Sequence, residues 1–453
     1  MKAETLRPSG PPAPKRAPEA TDWVTHGRRA LETLSFRTLA LPLSFVITVI
    51  TSRYLLPEGR GAFALGLLTV TLGSTLLSIG TAVTRELGRK EESIESIVRR
   101  GLVLSLVLGS IGAVALLPLG LVTGSDGYRA AELLVLGLPL LLVRQTIGGS
   151  LIALGRLRLF NVLLFLDPAA LLAGLLVLVV VFDFGLSGAV AAWFAATALT
   201  TAIALGWTRD LWLSRARHAT QSARTRAILS LGLKAGIVNL VALINYRVEF
   251  FLLEAWHTLG AVGVYSVSIS LAELLWLLSA SVTTVVVAPA INLDEERAVG
   301  VVAQTVRHAL ILTTAFGIGL AAIAPLAVPL VYGSDFSGAV VPLLVLIPGV
   351  IAYAPASVLS AYFSMRHGRM RYPMIVAGTS AVVNALLCLV LVHPLGATGA
   401  ALASTGGYVI GSALLLAMFL RAGGTGPGTV VPRGTDVLAY RDLALSLRSR
   451  VVR

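Results

Sequence analysis

The chain has 453 residues, of which 56% are hydrophobic and only 13% are charged. Soluble domains carry about 25% charged residues, so a soluble protein of this composition could not cover its surface. The formal net charge is +13, which would suggest a nucleic-acid partner for a soluble protein. Here the basic residues lie in short clusters between apolar runs, so membrane orientation explains them and no nucleic-acid partner is expected.

Twelve apolar runs are long enough to cross a membrane, because about 20 helical residues span the roughly 30 Å of hydrocarbon. These runs predict an all-α membrane protein with twelve transmembrane helices. The predicted spans lie at 34–52, 62–84, 101–122, 131–154, 159–182, 186–207, 228–253, 261–288, 305–331, 340–364, 374–393 and 397–420.

The loops between these spans are alternately rich and poor in basic residues. The poor side contains only Arg53, Arg60 and Arg129. By the positive-inside rule the basic loops and both termini are cytoplasmic, which predicts a multi-pass protein of the bacterial cytoplasmic (inner) membrane. The basic loops contain Arg85, Arg89, Lys90, Arg99, Arg100, Arg156, Arg158, Arg209, Arg215, Arg217, Arg224, Arg226, Arg297, Arg366, Arg369 and Arg371.

Short motifs recur in the same order in the two halves of the chain. Each recurrence falls at the same point in the series of predicted helices, and the number of helices per half is even. The sequence therefore predicts two six-helix lobes related by a parallel pseudo-repeat, with a substrate site between them. The recurring motifs are GSD at 124–126 and 333–335, GRLR at 155–158 and GRMR at 368–371, and GLSGA at 185–189 and GATGA at 396–400.

The flanks of the apolar region are polar, and the first is rich in proline, which favours disorder. Amphipathic patterns begin at Thr21 and cover 437–452. Both could lie on membrane lipids of the cytoplasmic leaflet, with a solvated tail as the alternative for the second. The predicted segments are a disordered cytoplasmic tail at 1–30, an N-lobe with helices 1–6 at 31–208, a basic inter-lobe linker at 209–226, a C-lobe with helices 7–12 at 227–421 and a second cytoplasmic tail at 422–453.

Seven ionisable residues fall within the apolar runs, where each would cost about 2.5–3.5 kcal/mol at the bilayer centre if it faced lipid. We expect them to face a water-filled cavity or to pair inside the bundle, for example Arg144 with Asp167 or Glu273. For Arg37, close to the cytoplasmic end of its span, snorkelling to the interface is a further interpretation. The seven are the cations Arg37, Arg144, Lys234 and Arg247 and the acids Asp167, Glu249 and Glu273.

Helical spacing predicts which of these side chains share a face. Ser266, Ser270 and Glu273 fall on one face of the eighth span. On a straight seventh helix, Lys234 and Glu249 share a face and Arg247 points away from it.

The excess of cations favours an anionic substrate such as a phosphate or pyrophosphate, to which arginine offers two parallel donors. The candidate substrate-binding residues are Arg37, Arg144, Lys234 and Arg247, and the candidate counter-charges or ion-coupling groups are Asp167, Glu249 and Glu273.

The sequence contains none of the enzyme motifs GxxxxGK[ST], HExxH or CxxC. Its one cysteine, Cys388, lies in an apolar run and excludes a disulfide framework or a thiolate metal site within the chain. We therefore expect a protein that is not an enzyme and has no metal or cofactor, with Cys388 as a small packing residue.

Four stretches resemble the polysaccharide (oligosaccharide-lipid) flippases of the MOP superfamily, which also contains the MATE exporters and the lipid II flippases. The likeness covers roughly 34–421, and it departs from the family pattern at Arg60, where an aromatic or small residue is commoner, and at Glu249, where Asp is usual. The four stretches are YLLPEGRG at 54–61, NYRVEFFLL at 245–253 with the segment to Glu273, YGSDF at 332–336 and the segment 394–403.

The resemblance implies a MATE-like fold and the transfer of an undecaprenyl-pyrophosphate-linked oligosaccharide across the membrane by alternating access, with cavity arginines on the pyrophosphate. Coupling to H⁺, Na⁺ or the membrane potential is expected, as are partners among glycan polymerases and glycosyltransferases. Two alternatives remain open. One is a MATE-type cation-coupled multidrug exporter, although the first span offers Arg37 and no acid. The other is a non-transporting membrane scaffold of polysaccharide assembly.

Overall fold

The structure is a computed structural model that describes residues 20–89, 92–117, 129, 132–213, 221–245, 247–290, 294–365 and 371–436. Throughout these residues the regular structure is helical, with no β-strand. Helices suit a membrane because each satisfies its own backbone hydrogen bonds without water. The described residues include nine helices that are long and apolar enough to cross a membrane. The chain is therefore an all-α, multi-pass membrane protein, and the finer count of twelve spans stays a prediction.

The first half of the chain contains the helices that precede the predicted linker. A 3₁₀ turn at Leu133–Gly137 leads into α4, and a π-helical turn at Leu176–Val181 extends α5. The helices are α1 (Ala20–Leu77), α2 (Ile79–Arg89), α3 (Ile94–Leu116), α4 (Leu138–Ala153), α5 (Leu157–Leu175), α6 (Gly185–Trp207) and the short α7 (Arg209–Trp212).

The second half begins at Gln221, so the helical structure covers part of the predicted linker. Four of its described helices are longer than the roughly 17–25 residues that a bilayer crossing requires. They are α8 (Gln221–Asn245), α9 (Val248–Trp256), α10 (Leu259–Ala290), α11 (Glu295–Tyr332), α12 (Val340–Met365) and α13 (Arg371–Gly423), with 3₁₀ turns at Ser334–Ala339 and Pro427–Thr429.

Helices α1 and α13 each contain a kink that divides them into two helices. The kink of α1 is at Leu56, with φ 58°, and that of α13 is at Gly396, with φ 54°. Pro57 and Pro394 lie beside the kinks, and a proline cannot donate the backbone hydrogen bond that a straight helix requires. Where the sequence predicts loops between spans, the chain therefore turns by a kink.

The two halves pack closely along α1 at two places. On the kink side, a Cβ added to Gly61 would lie 1.8 Å from the carbonyl oxygen of Leu259, and one on Gly263 would lie 1.9 Å from that of Pro57. Only glycine permits this approach of α1 to α10. We call this group of residues the kink-side contact.

Further along α1, a Cβ on Gly236 of α8 would lie 1.7 Å from the carbonyl oxygen of Leu76. The side-chain amide of Asn239 also donates to Ser78 Oγ at 3.5 Å. We call this second group the cavity-side contact, because Ser78 and Asn239 also line a cavity. The two halves therefore contact each other at two separate places along α1, through different residues. We call the interface between the halves the seam.

The structure changes the outline of both predicted tails. Helix α1 begins at Ala20, inside the segment predicted as a disordered tail. After α13, Val430 and Asp436 are buried, and Arg307 of α11 donates to Asp436 at 2.8 Å and to the carbonyl oxygen of Thr429 at 2.7 Å. The first part of the predicted C-terminal tail therefore packs onto the helices. The amphipathic segment predicted at 437–452 lies outside the described residues.

Candidate functional site

A cavity of about 560 Å³ lies in the first half of the chain, between the end of α1, α2, α4 and α5, with one residue contributed by α8. We call it the large cavity. Hydroxyl and amide side chains supply most of its polar lining, and it contains one arginine and one carboxylate. Its polar lining residues are Ser74, Thr75, Ser78, Thr81, Thr84, Arg144, Gln145, Asp167 and Asn239.

Arg144 of α4 forms an ion pair with Asp167 of α5 in this cavity, and both side chains are about one quarter exposed, at 22% and 28%. Thr200 of α6 donates to the second carboxylate oxygen of Asp167 at 2.7 Å. The Nε–H of Arg144 is buried without a hydrogen-bond partner among the described residues. Arg144 therefore has one N–H donor that is not used among the described residues, and its partner Asp167 also accepts a hydrogen bond from Thr200.

The helix that carries Asp167 is locally weakened by the next residue, Pro168. A proline cannot donate to the carbonyl four residues earlier, which here belongs to Leu164, another lining residue. The sequence thus places a carboxylate and a backbone acceptor that lacks its helical donor on the same stretch of α5.

The hydroxyl-rich wall of the cavity is formed where α1 ends and α2 begins, at Ser78. Gln145 donates to Ser74 Oγ at 3.2 Å, and Asn239 reaches Ser78 from the second half. Asn239 was not among the residues predicted from the sequence. Its signal is an amide within an apolar run, and the predicted site residues are all charged.

A second cavity, of about 240 Å³, lies between α1 and α10, beside the end of α11. We call it the small cavity. Ser270 and Glu273 line it, as do Ser44 and Thr48 of α1 and Tyr332 of α11. The predicted shared face of α10 is therefore confirmed for Ser270 and Glu273, and Ser266 lies one turn further toward the kink side.

Arg247 pairs with Glu273 at 2.7 Å, and its guanidinium lies 5.6 Å from the ring centroid of Phe250. The seventh predicted span is broken, because α8 ends at Asn245 and α9 begins at Val248, so the shared face expected for a straight helix does not apply. This break redirects Arg247, so its position cannot be extrapolated from residues on α8.

Glu249 lies in the core of the second half and is fully buried. The hydroxyl of Tyr265 donates to it at 3.2 Å, and neither cavity includes it in its lining. Cys388 is buried in the same core, as predicted for a packing residue, with its Sγ 3.5 Å from Asn384 Oδ1.

The predicted substrate-binding cations do not meet in one cavity. Arg144 lines the large cavity, Arg247 pairs beside the small one, and Lys234 is exposed on α8 outside both linings. The side chain of Arg37 lies outside the described residues. Arg144 and Arg247 each lie beside a carboxylate, because such a partner offsets part of the cost of taking a cation out of water.

The structure also places Arg60 differently from the sequence analysis, which counted it with the loops of the poorly basic side. Arg60 lies inside α1 after the kink and is buried. Its departure from the family pattern was the signal that could have identified it.

The spanning helices, the polar cavity and the paired charges define a multi-pass α-helical membrane protein whose interior accommodates polar groups. Solved structures of membrane transporters share this fold. One is a multidrug resistance MATE family transporter of the MOP superfamily in an inward-facing conformation, with a TM-score of 0.69 and 18% identity over 87% of this chain and 98% of that one. Another is the lipid II flippase MurJ in an inward closed conformation, with a TM-score of 0.70 and 15% identity over 88% of both chains.

A third similar structure is a MOP superfamily transporter from Pyrococcus furiosus with a binding pocket of reversed polarity. It has a TM-score of 0.56 and 14% identity over 87% of this chain and 95% of that one. At these identities the likeness establishes the fold.

The chain belongs to the family of polysaccharide biosynthesis proteins, because residues 28–292, more than half of its length, match that family's model. The resemblance inferred from the sequence is thereby confirmed for family and fold. A sequence search of curated proteins finds no match.

Proposed function

We propose that the protein is a flippase that moves an undecaprenyl-pyrophosphate-linked oligosaccharide across the bacterial cytoplasmic membrane for cell-surface polysaccharide biosynthesis. It would do so by alternating access of two six-helix lobes with twelve spans. The family of polysaccharide biosynthesis proteins and the shared fold with a lipid II flippase support this proposal. The kinks at Leu56 and Gly396 support the count, because each divides one long helix into two.

The observation that carries the proposal is the Arg144–Asp167 pair in the large cavity. A pyrophosphate offers more charge and more acceptor oxygens than one carboxylate, so it competes with Asp167 for the guanidinium. Asp167 keeps the hydrogen bond from Thr200 when it is displaced. The pair neutralises the empty cavity and presents a cation when an anionic substrate enters.

The rest of the cavity suits a glycan attached to that pyrophosphate. Its hydroxyl and amide side chains can exchange hydrogen bonds with phosphate oxygens and sugar hydroxyls, and its apolar residues suit the lipid next to the phosphate. The lining approaches the basic loops, since Thr84 lies one residue before Arg85 and Ile152 lies close to Arg156. By the positive-inside rule this end is cytoplasmic, where the substrate would enter.

Directional transport needs an energy source, and we propose coupling to H⁺, Na⁺ or the membrane potential. Glu249 supports a coupling role for the second half, because a fully buried carboxylate without an ion-pair partner among the described residues is costly to keep charged. Glycosyltransferases that build the substrate and a polymerase that consumes it are the proposed partners. The chain itself is assigned no catalytic step.

Asp167 supports a second candidate function, a cation-coupled multidrug exporter. Its carboxylate borders the same cavity and would attract an organic cation if Arg144 moved away. The two functions differ in which member of the Arg144–Asp167 pair contacts the substrate. A flippase for an anionic lipid depends on the positive charge of Arg144, whereas an exporter of cations depends on Asp167 and tolerates loss of Arg144.

Deletion of the gene, followed by complementation, tests the proposal. The deletion is expected to accumulate lipid-linked oligosaccharide on the cytoplasmic face, and wild-type protein to clear it. Arg144→Gln should lower export at least about thirtyfold, because removing the cation from its charge pair with the bound pyrophosphate costs about 2–5 kcal/mol. Sidedness is measured by labelling the glycan with an impermeant reagent.

Lys234→Gln is the matched control, since Lys234 is a cation on a predicted span that is exposed outside both cavities. It should leave export near the wild-type rate. Normal export by Arg144→Gln at a wild-type protein level would contradict the proposal, as would a deletion strain that accumulates no intermediate.

A further inference from the structure

The buried Arg60 connects the two halves of the chain through uncharged partners. Its Nη1 donates to Thr51 Oγ1 at 2.7 Å in the helix before the kink. Its Nε donates to Ser266 Oγ of α10 at 3.2 Å. No carboxylate forms an ion pair with Arg60 among the described residues. A buried guanidinium that relies on two hydroxyls is held less firmly than one paired with an acid.

Arg53 makes a second connection on the same side. Its Nε donates to the carbonyl oxygen of Val331 at 2.8 Å, and its Nη2 donates to that of Leu330. Both carbonyls belong to the last turn of α11, which ends at Tyr332. The last carbonyls of a helix lack intrahelical donors and carry the negative end of its dipole, so a cation from the first half caps a helix of the second.

These two arginines lie beside the close backbone approach of the kink-side contact. Gly61 follows Arg60 directly, and it meets Leu259 and Gly263 without room for a Cβ. Thr51 and Ser266 also lie one turn beyond Thr48 and Ser270, which line the small cavity. The hydroxyl partners of Arg60 therefore lie one helical turn beyond the small cavity, on its kink side.

The cavity-side contact is built differently. It consists of glycines against backbone carbonyls and a single long hydrogen bond, from Asn239 to Ser78 at 3.5 Å. Neither Asn239 nor Ser78 is charged, so this hydrogen bond differs in kind from those of Arg53 and Arg60.

We propose that Arg53 and Arg60 form a releasable latch that closes the path on the kink side, the poorly basic face, and must open in each transport cycle. The part about transport rests on the proposed function. The partners of both arginines are hydroxyls and carbonyls, which water can replace. Release therefore leaves no buried carboxylate unpaired, as opening an ion pair would.

A cysteine reporter tests the latch. Cys388→Ala removes the one native thiol. Leu65→Cys then places a thiol on α1 at a buried site in a core whose other buried members, apart from Leu68, come from the second half. The protein is purified in lipid nanodiscs, where both faces are accessible, and the rate of labelling with a charged maleimide is measured.

Arg53→Gln with Arg60→Gln should raise the labelling rate about tenfold or more, the change expected when hydrogen bonds to a charged group are lost. Arg60→Lys, which keeps the charge but has a single donor nitrogen in place of two, should raise it less. Asn239→Ala is the matched control, because it weakens the cavity-side contact, and it should leave the rate unchanged.

An unchanged labelling rate in the double glutamine variant, with a wild-type elution profile, would overturn the latch. If the double variant does not fold, Arg53→Gln alone decides, since Arg53 is exposed, and an unchanged rate would again overturn it. The assay needs no substrate. Failure of the latch is therefore seen in labelling, and failure of the proposed function is seen in the export assay.

Discussion

Arg144 in the first half and Arg247 in the second both lie on predicted membrane spans, and each pairs with one carboxylate. Their side chains are similarly exposed, at 22% and 25%. Their surroundings differ. Arg144 borders a cavity of about 560 Å³ and has an unused Nε–H, whereas Arg247 lies at a helix break against the ring of Phe250.

These surroundings indicate two different uses for an ion pair on a predicted membrane span. A pair beside open, polar space can exchange its carboxylate for the anion of a ligand. A pair packed against an aromatic ring, at a break between helices, fixes the direction of the chain. We therefore propose that Arg144 binds the substrate and that Arg247 stabilises the second half.

Reciprocal charge swaps separate these assignments most strongly. Arg144→Asp with Asp167→Arg keeps a pair but moves the cation to α5, so export should stay at least about thirtyfold below the wild-type rate. Arg247→Glu with Glu273→Arg keeps the structural pair, so it should recover most of the export that either single variant loses. The measurement is export at matched protein levels.

Recovery of export by the first swap would mean that the cavity needs only a charge pair in either order. Failure of the second swap, with the single variants folded, would place Arg247 on the substrate path beside Arg144.

A smaller effect is expected from the neighbours of the two pairs. Thr200→Val removes the hydrogen bond that holds Asp167 when Arg144 is engaged, and it should lower export about tenfold. Phe250→Leu removes a cation–π contact from Arg247 and should cost about 1 kcal/mol of stability while export stays near normal. Thermal unfolding in detergent and the export assay measure the two effects. Normal export by Thr200→Val together with lowered export by Phe250→Leu would contradict the roles proposed for the two pairs.

The sequence was sufficient to predict an all-α membrane protein, the shared face of Ser270 and Glu273, and the pairing of Arg144 with Asp167 as one of two options. These features depend on apolar length, helical period and the cost of charge in lipid, which are local properties. The family resemblance could be inferred as well, because its motifs are short and keep their order.

The features that the sequence did not predict depend on tertiary structure. The break between Asn245 and Val248 has no proline or glycine to mark it, so helical spacing could place Arg247 only for the case of a straight helix. Arg60 follows the sequence Pro-Glu-Gly, which is typical of a loop and here lies at a helix kink, so composition alone could not distinguish the two. Which cations share a cavity depends on how helices pack, so a cluster of Arg144, Arg247 and Lys234 could not be tested from spacing.

The most direct test of the account is the binding of undecaprenyl pyrophosphate to purified protein, measured by native mass spectrometry against undecaprenol, the uncharged lipid alcohol. We predict that wild-type protein binds the pyrophosphate in preference to the alcohol. Arg144→Gln should lose that preference, while Arg247→Gln keeps it if the protein is folded. Equal binding of the two lipids by wild-type protein, or an unchanged preference in Arg144→Gln, would contradict the claim that Arg144 recognises an anionic lipid-linked substrate.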